Sequence, residues 1–522
     1  MQQLTGMDAS FLYLETANAP MHISGLSIYD QSTADGGMVR FKDIVKNYGK
    51  RVIGMPPMTR RLVHVPLQLD HPYWVSDGSF DEEFHIRHLA LPKPGDWRQL
   101  CILISRLHAR PLDRSRPLWE AYIIEGLDNV EGYPKGSFAV FSKTHHAAID
   151  GTSGMEMTAA IHDLTPDYLA ANAAAQPAAV QLDREPGRFE LAMRAQFNNI
   201  RKPFNFVSVA RNTIPGLAKA YNATRKGDLA TVEDLPRTRF NGDVGPHRVF
   251  EAINVDLESV KAIKNAISGA TVNDAALTIV GGALRKYLQH HGELPDQSLA
   301  AMAPVNVRTA GDETGGNTVS SLTVALRTDI EEPLQRLQAV HDGTSDAKEL
   351  QNAIGAKTMT DYAQFIPSTL TAQAARLASG WGLMSRMKPT YNCVVTNVPG
   401  PPIPLYNTGA RMLANFGTGP VLDGLGLFHV IGSYCGRFFV SATSCRDMMP
   451  DPEFYRQCLQ SSFEELHSAA LLVIAENNKQ RKKAAKSAAK KPKAASDSAH
   501  KPVRSKTARS KTAKAAKKGV TA

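Results

Sequence analysis

The sequence predicts an α/β protein, with α+β as the other reading of the same pattern, organised as two domains. Three observations lead there. The chain has 522 residues, more than one hydrophobic core accommodates at roughly 100–200 residues per domain. From Met1 to about Thr165, short β-rich runs alternate with helical ones. A second region of the same texture runs from about Arg248 to Glu476, after an alanine-rich interruption. The composition, 43% apolar and 21% charged, is ordinary for globular proteins and excludes a fibrous or wholly disordered chain.

Taken in order, the first domain spans residues 1–168. Its clearest strand, Phe138 to Phe141, leads into His145-His146 and a helix expected over Thr152 to Leu164. Residues 169–247 read as a linker. It opens with LAANAAAQPAAV, which offers nothing large to bury. Between Arg188 and Lys226 it then carries eight basic residues against the single acid Glu190, interleaved with Phe189, Leu191, Phe197, Ile200, Phe204, Phe206 and Leu217. Pro203 and Pro215 divide this segment into short helices. Such a segment either packs its apolar side on the body or lies in the headgroup region of an anionic membrane.

The second domain covers residues 248–478. Thr271-Val-Asn-Asp274 has capping-box spacing, and Leu277, Val280, Leu284 and Leu288 follow at helical intervals. Thr318–Arg327, Asn392–Val395 and Arg437–Ala442 read as strands. Residues 479–522 form a tail without Leu, Ile or aromatic side chains, which cannot bury a core and is expected to be disordered.

The net charge of +10 belongs to that tail. Residues 479–522 hold 16 Lys and Arg and one acid, Asp497, leaving 44 basic and 49 acidic residues in the rest. A mildly acidic body thus carries a basic tail able to bind polyanions by counterion release, with acidic phospholipid and nucleic acid both eligible. The five cysteines show no metal-ligand or disulfide spacing, which fits a reducing cytoplasm. The N-terminus lacks a secretory pattern, and no apolar run approaches the roughly 18–20 residues of a membrane span, so membrane contact is expected to be peripheral.

The chemistry concentrates in FAVFSKTHHAAIDG, Phe138 to Gly151. A histidine pair at a strand exit puts imidazole at an element boundary, where side chains face clefts. Histidine is also the natural general base near neutral pH. Three chemistries suit His-His-x-x-x-Asp-Gly. Metal ligation lacks a third ligand at matching spacing. A nucleophilic triad lacks a Gly-x-Ser-x-Gly elbow. A lone base taking a proton from a substrate hydroxyl, with Asp150 holding the loop, needs neither.

The pattern from His145 to Gly151 resembles the HHxxxDG signature of the chloramphenicol acetyltransferase-like superfamily. Further segments narrow the resemblance: Met7-Asp8-Ala9-Ser10-Phe11, Pro20-Met21-His22, Pro117-Leu118-Trp119-Glu120, Asn273-Asp274, Pro304-Val305-Asn306-Val307-Arg308 and Asn397-Val398-Pro399-Gly400-Pro401. Together, in this order from Met7 to Ile474, they are similar to the bacterial wax ester synthase/diacylglycerol acyltransferases.

The resemblance implies two chloramphenicol acetyltransferase-like domains, each a mixed sheet flanked by helices, joined by a helical linker. It implies a long-chain acyl-CoA donor and a fatty alcohol or diacylglycerol acceptor, with no cofactor and no metal. His146 takes the role of base, with His145 beside it in the catalytic set and Asn273 as the polar group near the reacting carbonyl. Asp150, Gly151, Arg308 and Asp274 support the site, Asp150 through an ion pair with Arg308 and Asp274 as a helix cap. Trp119 reads as packing and the Pro399–Pro402 run as a turn. The implied location is cytoplasmic, on the inner face of the membrane or on lipid inclusions, held through residues 188–226 and the tail; nucleic acid is the less favoured partner. The competing readings are a peptide-synthetase condensation enzyme, which would require carrier domains, and a non-catalytic lipid- or polyanion-binding protein on the same fold.

Overall fold

The computed structural model describes residues 1–149, 157–167, 183–200, 235–306, 319–354 and 386–489. Met1–Ile474 forms one compact unit and Ala475–Ala522 a second. The first-half strands are β1 (Gln2–Gln3), β2 (His22–Asp30), β3 (Arg60–Val63), β4 (Tyr73–Ser76), β5 (Ile86–Ala90), β6 (Trp119–Leu127) and β7 (Ser137–His145). In the second half they are β8 (Arg248–Asp256), β9 (Ala300–Asn306), β10 (Val319–Ala325), β11 (Cys393–Pro399), β12 (Tyr406–Asn407), β13 (Ala410–Thr418), β14 (Leu427–Tyr434) and β15 (Arg437–Cys445). The principal helices are α1 (Gly6–Leu14), α2 (Phe41–Val52), α3 (Trp97–His108), α4 (188–200), α5 (Leu257–Asn265), α6 (Val272–His290), α7 (Pro333–Ile354) and α8 (Pro452–Ala489).

These strands build two six-stranded mixed sheets, ordered β12-β13-β2-β7-β6-β5 and β10-β9-β11-β14-β15-β8, and a small sheet β1-β4-β3. In the first, only β5 and β6 run parallel; in the second, β11 runs parallel to both β9 and β14. Strand β7 is central, and all of its residues except Ser142 are buried. Its near-continuous apolar run is what a strand covered on both faces requires.

One crossing was not legible in the domain boundaries. Strands β12 and β13, from the second half, complete the first sheet, with β13 antiparallel to β2 and Phe416 opposite Leu26. Without β13, β2 would present an open edge. The core beneath this sheet mixes both halves, packing Leu26 and Phe141 with Phe250, Phe416, Tyr434 and Phe439.

The helix expected from Thr271 forms with both halves of its capping box made. Residues 274–284 of α6 are all buried, and full burial of side chains such as Leu277, Ile279 and Leu284 stabilises by about 1.5–3 kcal/mol each. Gly281 lets the helix approach its neighbour: a Cβ there would collide with the Leu326 carbonyl. The strands expected at Phe138, Thr318, Asn392 and Arg437 all form. Of the helix expected over Thr152–Leu164, residues 157–161 are helical but His162–Leu164 are not, because Asp163 leaves the helix to bridge Tyr406; residues 152–156 lie outside the described ones.

The start of the tail differs from expectation. Helix α8 runs past Asn478 to Ala489, so residues 479–489 are helical rather than disordered. Their Lys, Arg, Gln and Ala are strong helix formers, and adding turns to an existing helix avoids the cost of nucleation. Residues 490–522 lie outside the described ones. No helix among the described residues is long and apolar enough to cross a membrane.

Candidate active site

Strand β7 delivers His145 and His146 to the end of the first sheet, where the two flanking segments pin them. The His145 N–H donates to the Leu118 carbonyl and the His146 N–H to the Met21 carbonyl, both at 2.9 Å. Leu118 precedes β6 and Met21 precedes β2. Both neighbours of the central strand therefore fix the turn that follows it.

The two rings have different surroundings. His145 is fully buried. Its Nδ1 accepts the Ala147 N–H at 3.0 Å, which leaves the proton on Nε2, and Nε2–H donates to Glu15 Oε2 at 2.7 Å. With both nitrogens engaged, this ring has none left for a substrate. Burial pushes its pKa down, and the Glu15 carboxylate offsets only part of that. On Glu15 burial pushes upward, but His145, Arg114 and the Met21 N–H together outweigh it and hold the carboxyl below its ordinary value. Both directions describe one state, a neutral imidazole donating to an ionised carboxylate.

Glu15 is the hub of this arrangement. Its Oε2 also accepts the Met21 N–H at 3.1 Å, and its Oε1 accepts from Arg114 Nε at 3.2 Å. Arg114 in turn donates to the Leu12 carbonyl. Met21 thus links Glu15 on one side to His146 on the other. His146 is only partly buried, and its ring stacks on Phe11, centroids 4.0 Å apart at 15°. Phe11 and Glu15 stand four residues apart across the end of α1, so they share a face, one meeting His146 and the other His145. Helix α1 is set by its Thr5 cap, whose hydroxyl accepts the Asp8 N–H.

Asn273 and Asp274 open α6 on the other sheet's side. Asn273 occupies the first turn, where unpaired N–H groups and the helix dipole favour negative charge. Its Oδ1 lies 3.5 Å from Nδ2 of Asn397 on β11. Asp274 is fully buried and serves as an anchor: it accepts the Thr271 N–H at 2.8 Å, Thr344 Oγ1 at 2.8 Å and His341 Nδ1 at 3.0 Å, joining α6 to α7. Among the described residues no cluster of three His, Cys, Asp or Glu is placed to hold a metal ion.

The structure therefore sorts the sequence-predicted residues into a histidine cluster on β7 and an asparagine cluster at the start of α6. Asp150, Gly151 and Arg308 lie outside the described residues. Trp119 packs as expected: it is buried, donates to the Met58 carbonyl and stacks on His85. Sequence reasoning missed Glu15 and Arg114, and gave Phe11 and Asn397, though both stand in its motifs, no role. The i,i+4 spacing of Phe11 and Glu15 ahead of Pro20-Met21-His22 was the available signal for these two; Arg114 had none.

Known proteins agree with this architecture. The family description "Wax ester synthase/diacylglycerol acyltransferase catalytic domain" matches residues 4–276, and "WS/DGAT C-terminal domain" matches residues 315–467. A protein of Mycobacterium tuberculosis (strain CDC 1551 / Oshkosh), named as a diacylglycerol O-acyltransferase, is 33% identical over 476 residues, covering 89% of this chain and 91% of its own. A similarly named protein of Mycobacterium bovis is 31% identical over 467 residues, covering 88% and 98%. The solved wax ester synthase/diacylglycerol acyltransferase of Marinobacter aquaeolei VT8 superposes with a TM-score of 0.64 at 27% identity, covering 90% of this chain and all of that one. The first condensation domain of the calcium-dependent antibiotic synthetase superposes with a TM-score of 0.51 at 15% identity, covering 90% and 96%, a likeness of fold alone. The chain belongs to the wax ester synthase/diacylglycerol acyltransferase family and is an O-acyltransferase.

Proposed function

We propose that the chain transfers a long-chain fatty acyl group from CoA to a fatty alcohol, giving a wax ester, and to diacylglycerol, giving triacylglycerol. The observation that supports His146 as the base is the contrast within the pair. His145 is fully buried with both ring nitrogens engaged, whereas His146 is only partly buried, with its backbone N–H fixed by Met21 and its ring stacked on Phe11.

In this reading His146 accepts the alcohol proton as the oxygen attacks the thioester carbonyl. The resulting tetrahedral oxyanion is met by a polar donor, for which Asn273 is the candidate. Collapse breaks the C–S bond, and the imidazolium returns its proton to the departing CoA sulfur, so protons balance without an acyl-enzyme. Positioned acid–base catalysis supplies about 10²- to 10⁴-fold, and one oxyanion donor about 10²- to 10³-fold. His145 acts through position rather than by touching substrate. Asp150 and Arg308 form the loop-holding ion pair of this reading. Neither a cofactor nor a metal has a step to perform in it.

Because the acceptors and products are water-insoluble, the reading places the enzyme on the cytoplasmic face of the membrane or on lipid inclusions, with residues 188–226 and the basic tail contributing. CoA release from palmitoyl-CoA, followed with a thiol reagent across hexadecanol and diacylglycerol, tests the activity. Release that depends on the acceptor, and that His146→Ala abolishes, is expected. A folded His146→Ala protein transferring at the wild-type rate would remove the base from this role.

A further inference from the structure

Helix α4 is apolar on two opposite sides. Leu191 and Ala195 face inward, in a cluster with Val65 and Tyr73, and Asn198 and Asn199 tie the same side to Asp70 and the Leu69 carbonyl. On the opposite side Phe189, Met193, Phe197 and Ile200 are 79%, 57%, 54% and 58% exposed. They follow a spacing of i, i+4, i+8 and i+11, one helical stripe. Next to it is the turn holding Leu67, which is 88% exposed. Leu67 and Gln68 both adopt φ of 55°, a left-handed conformation unfavourable for side chains other than glycine. The Leu69 carbonyl, two residues on, accepts from Asn199, which sets this turn beside the C-terminal end of α4.

Single exposed leucines are ordinary, but four large apolar side chains in one stripe, with a fifth on the turn at the end of the same helix, mark an interaction surface. At about 150–250 Å² per aromatic side chain and somewhat less for the aliphatic ones, the patch offers about 600 Å². That is below the roughly 800 Å² per partner of a standard protein interface. Its rim is cationic. Glu190 is shared between Arg184 and Arg194, Glu185 pairs with Arg61, and Arg188 adds a further positive charge at the start of the helix. A convex apolar stripe with arginines beside it suits the boundary of acyl chains and anionic headgroups.

We infer that Leu67, Phe189, Met193 and Ile200 insert into an anionic lipid surface and dock the first half of the chain there. This deepens the proposed location, on which it rests, by naming the side chains that make the contact, and it makes apolar insertion rather than the basic tail the principal anchor. The acceptor of the reaction would then be drawn from the layer the helix enters.

The test uses the full chain with vesicles of phosphatidylcholine and phosphatidylglycerol. A variant with Leu67, Phe189, Met193 and Ile200 all changed to Ser should float with the vesicles at least about tenfold less than wild type, as loss of buried apolar area demands. Its CoA release with a short, soluble alcohol should be unchanged. In a second variant, Phe189→Trp, emission from the introduced indole should shift to the blue on vesicle addition and be quenched by brominated acyl chains. Equal flotation of the Ser variant, or an indole signal that brominated chains leave unquenched, would overturn the inference. So would a wild-type dimer in sedimentation that the Ser variant dissolves, since a second copy would then be the occupant. Failure of CoA release with every alcohol would instead count against the proposed activity and leave the flotation result standing.

Discussion

Glu15 Oε2 lies 2.7 Å from Nε2 of His145, across 130 residues of sequence, and accepts the Met21 N–H as well. Met21 in turn accepts from the His146 N–H. A carboxylate bonded to His145 and to the Met21 N–H thereby sets where His146 stands. Glu15→Gln keeps the size but puts an amide N–H₂ where either Arg114 or His145 needs an acceptor. Misplacement of a reacting group by about 1 Å costs on the order of 10²-fold in rate. The expected outcome is a kcat about 10- to 100-fold lower with KM nearly unchanged, while Glu15→Asp recovers part of it. A variant that lost only thermal stability, at full kcat, would make Glu15 a merely structural residue.

The stack of Phe11 on His146 allows a smaller prediction. Such pairs contribute about 0.5–1.5 kcal/mol beyond area burial, which converts to about two- to twelvefold in rate if it is what holds the ring in its working orientation. Phe11→Leu should lower kcat within that range and move Tm little, because Phe11 is only partly buried. An unchanged kcat would mean that the backbone alone orients the base.

Asn273 and Asp274 are neighbours with opposite expected behaviour. Asn273→Ala removes a side chain whose described hydrogen bond, to Asn397, is long, so stability should hold within about 0.5 kcal/mol while kcat falls by about 10²- to 10³-fold. Asp274→Ala takes an acceptor from the buried Thr344 hydroxyl, from the half-buried His341 ring and from the Thr271 N–H that caps the helix. At about 1–3 kcal/mol for each buried polar group left unsatisfied, a large drop in Tm should precede any catalytic effect. Measuring Tm and kcat for both separates the roles; a stable Asp274→Ala protein would contradict the anchor.

How much of this was legible in the sequence follows from the range of each interaction. The cap of α6 was readable because Thr271 and Asp274 are three residues apart, and β7 because its burial is written into consecutive apolar residues. Trp119 was readable as packing for the same reason. The Glu15–Arg114 pair was not, since 99 residues separate partners that only the fold brings together. Strand β13 was not read from the sequence, and nothing local says that Phe416 faces Leu26 across a sheet begun some 390 residues earlier. The outward stripe of α4 was visible as amphipathicity, but only coordinates show that Leu191 and Phe189 serve different surroundings. The extra turns of α8 were hidden by composition, because the lysines and alanines that suit a solvated tail also suit a helix.

The buried histidines give the protein an acid limit of defined sign. His108 is pushed down to about 3 by burial, and it accepts from Ser24 and Thr418 at Nδ1 while donating to the Gly419 carbonyl. His162, bonded to Tyr29, and His429, bonded to Tyr455, are pushed down to about 4, again by burial. Each titrates near 6.5 when unfolded. Their folded values lie below the unfolded one, so their contribution is complete above about pH 6.5 and is lost as pH falls toward 4, where the unfolded chain takes up protons that the native core refuses. Each histidine adds a slope of about 1.4 kcal/mol per pH unit, and the three together about 4. Glu251 and Asp423, raised by burial, soften the lower end of this window because their native forms hold protons longer. Thermal unfolding followed from pH 7 to 4.5 should therefore show a steep fall in Tm below about pH 6. His429→Phe should reduce the slope by about 1.4 kcal/mol per pH unit even though the loss of the Tyr455 partner lowers Tm throughout. A Tm independent of pH across this range would mean that these imidazoles are reached by solvent and protonated in the native state.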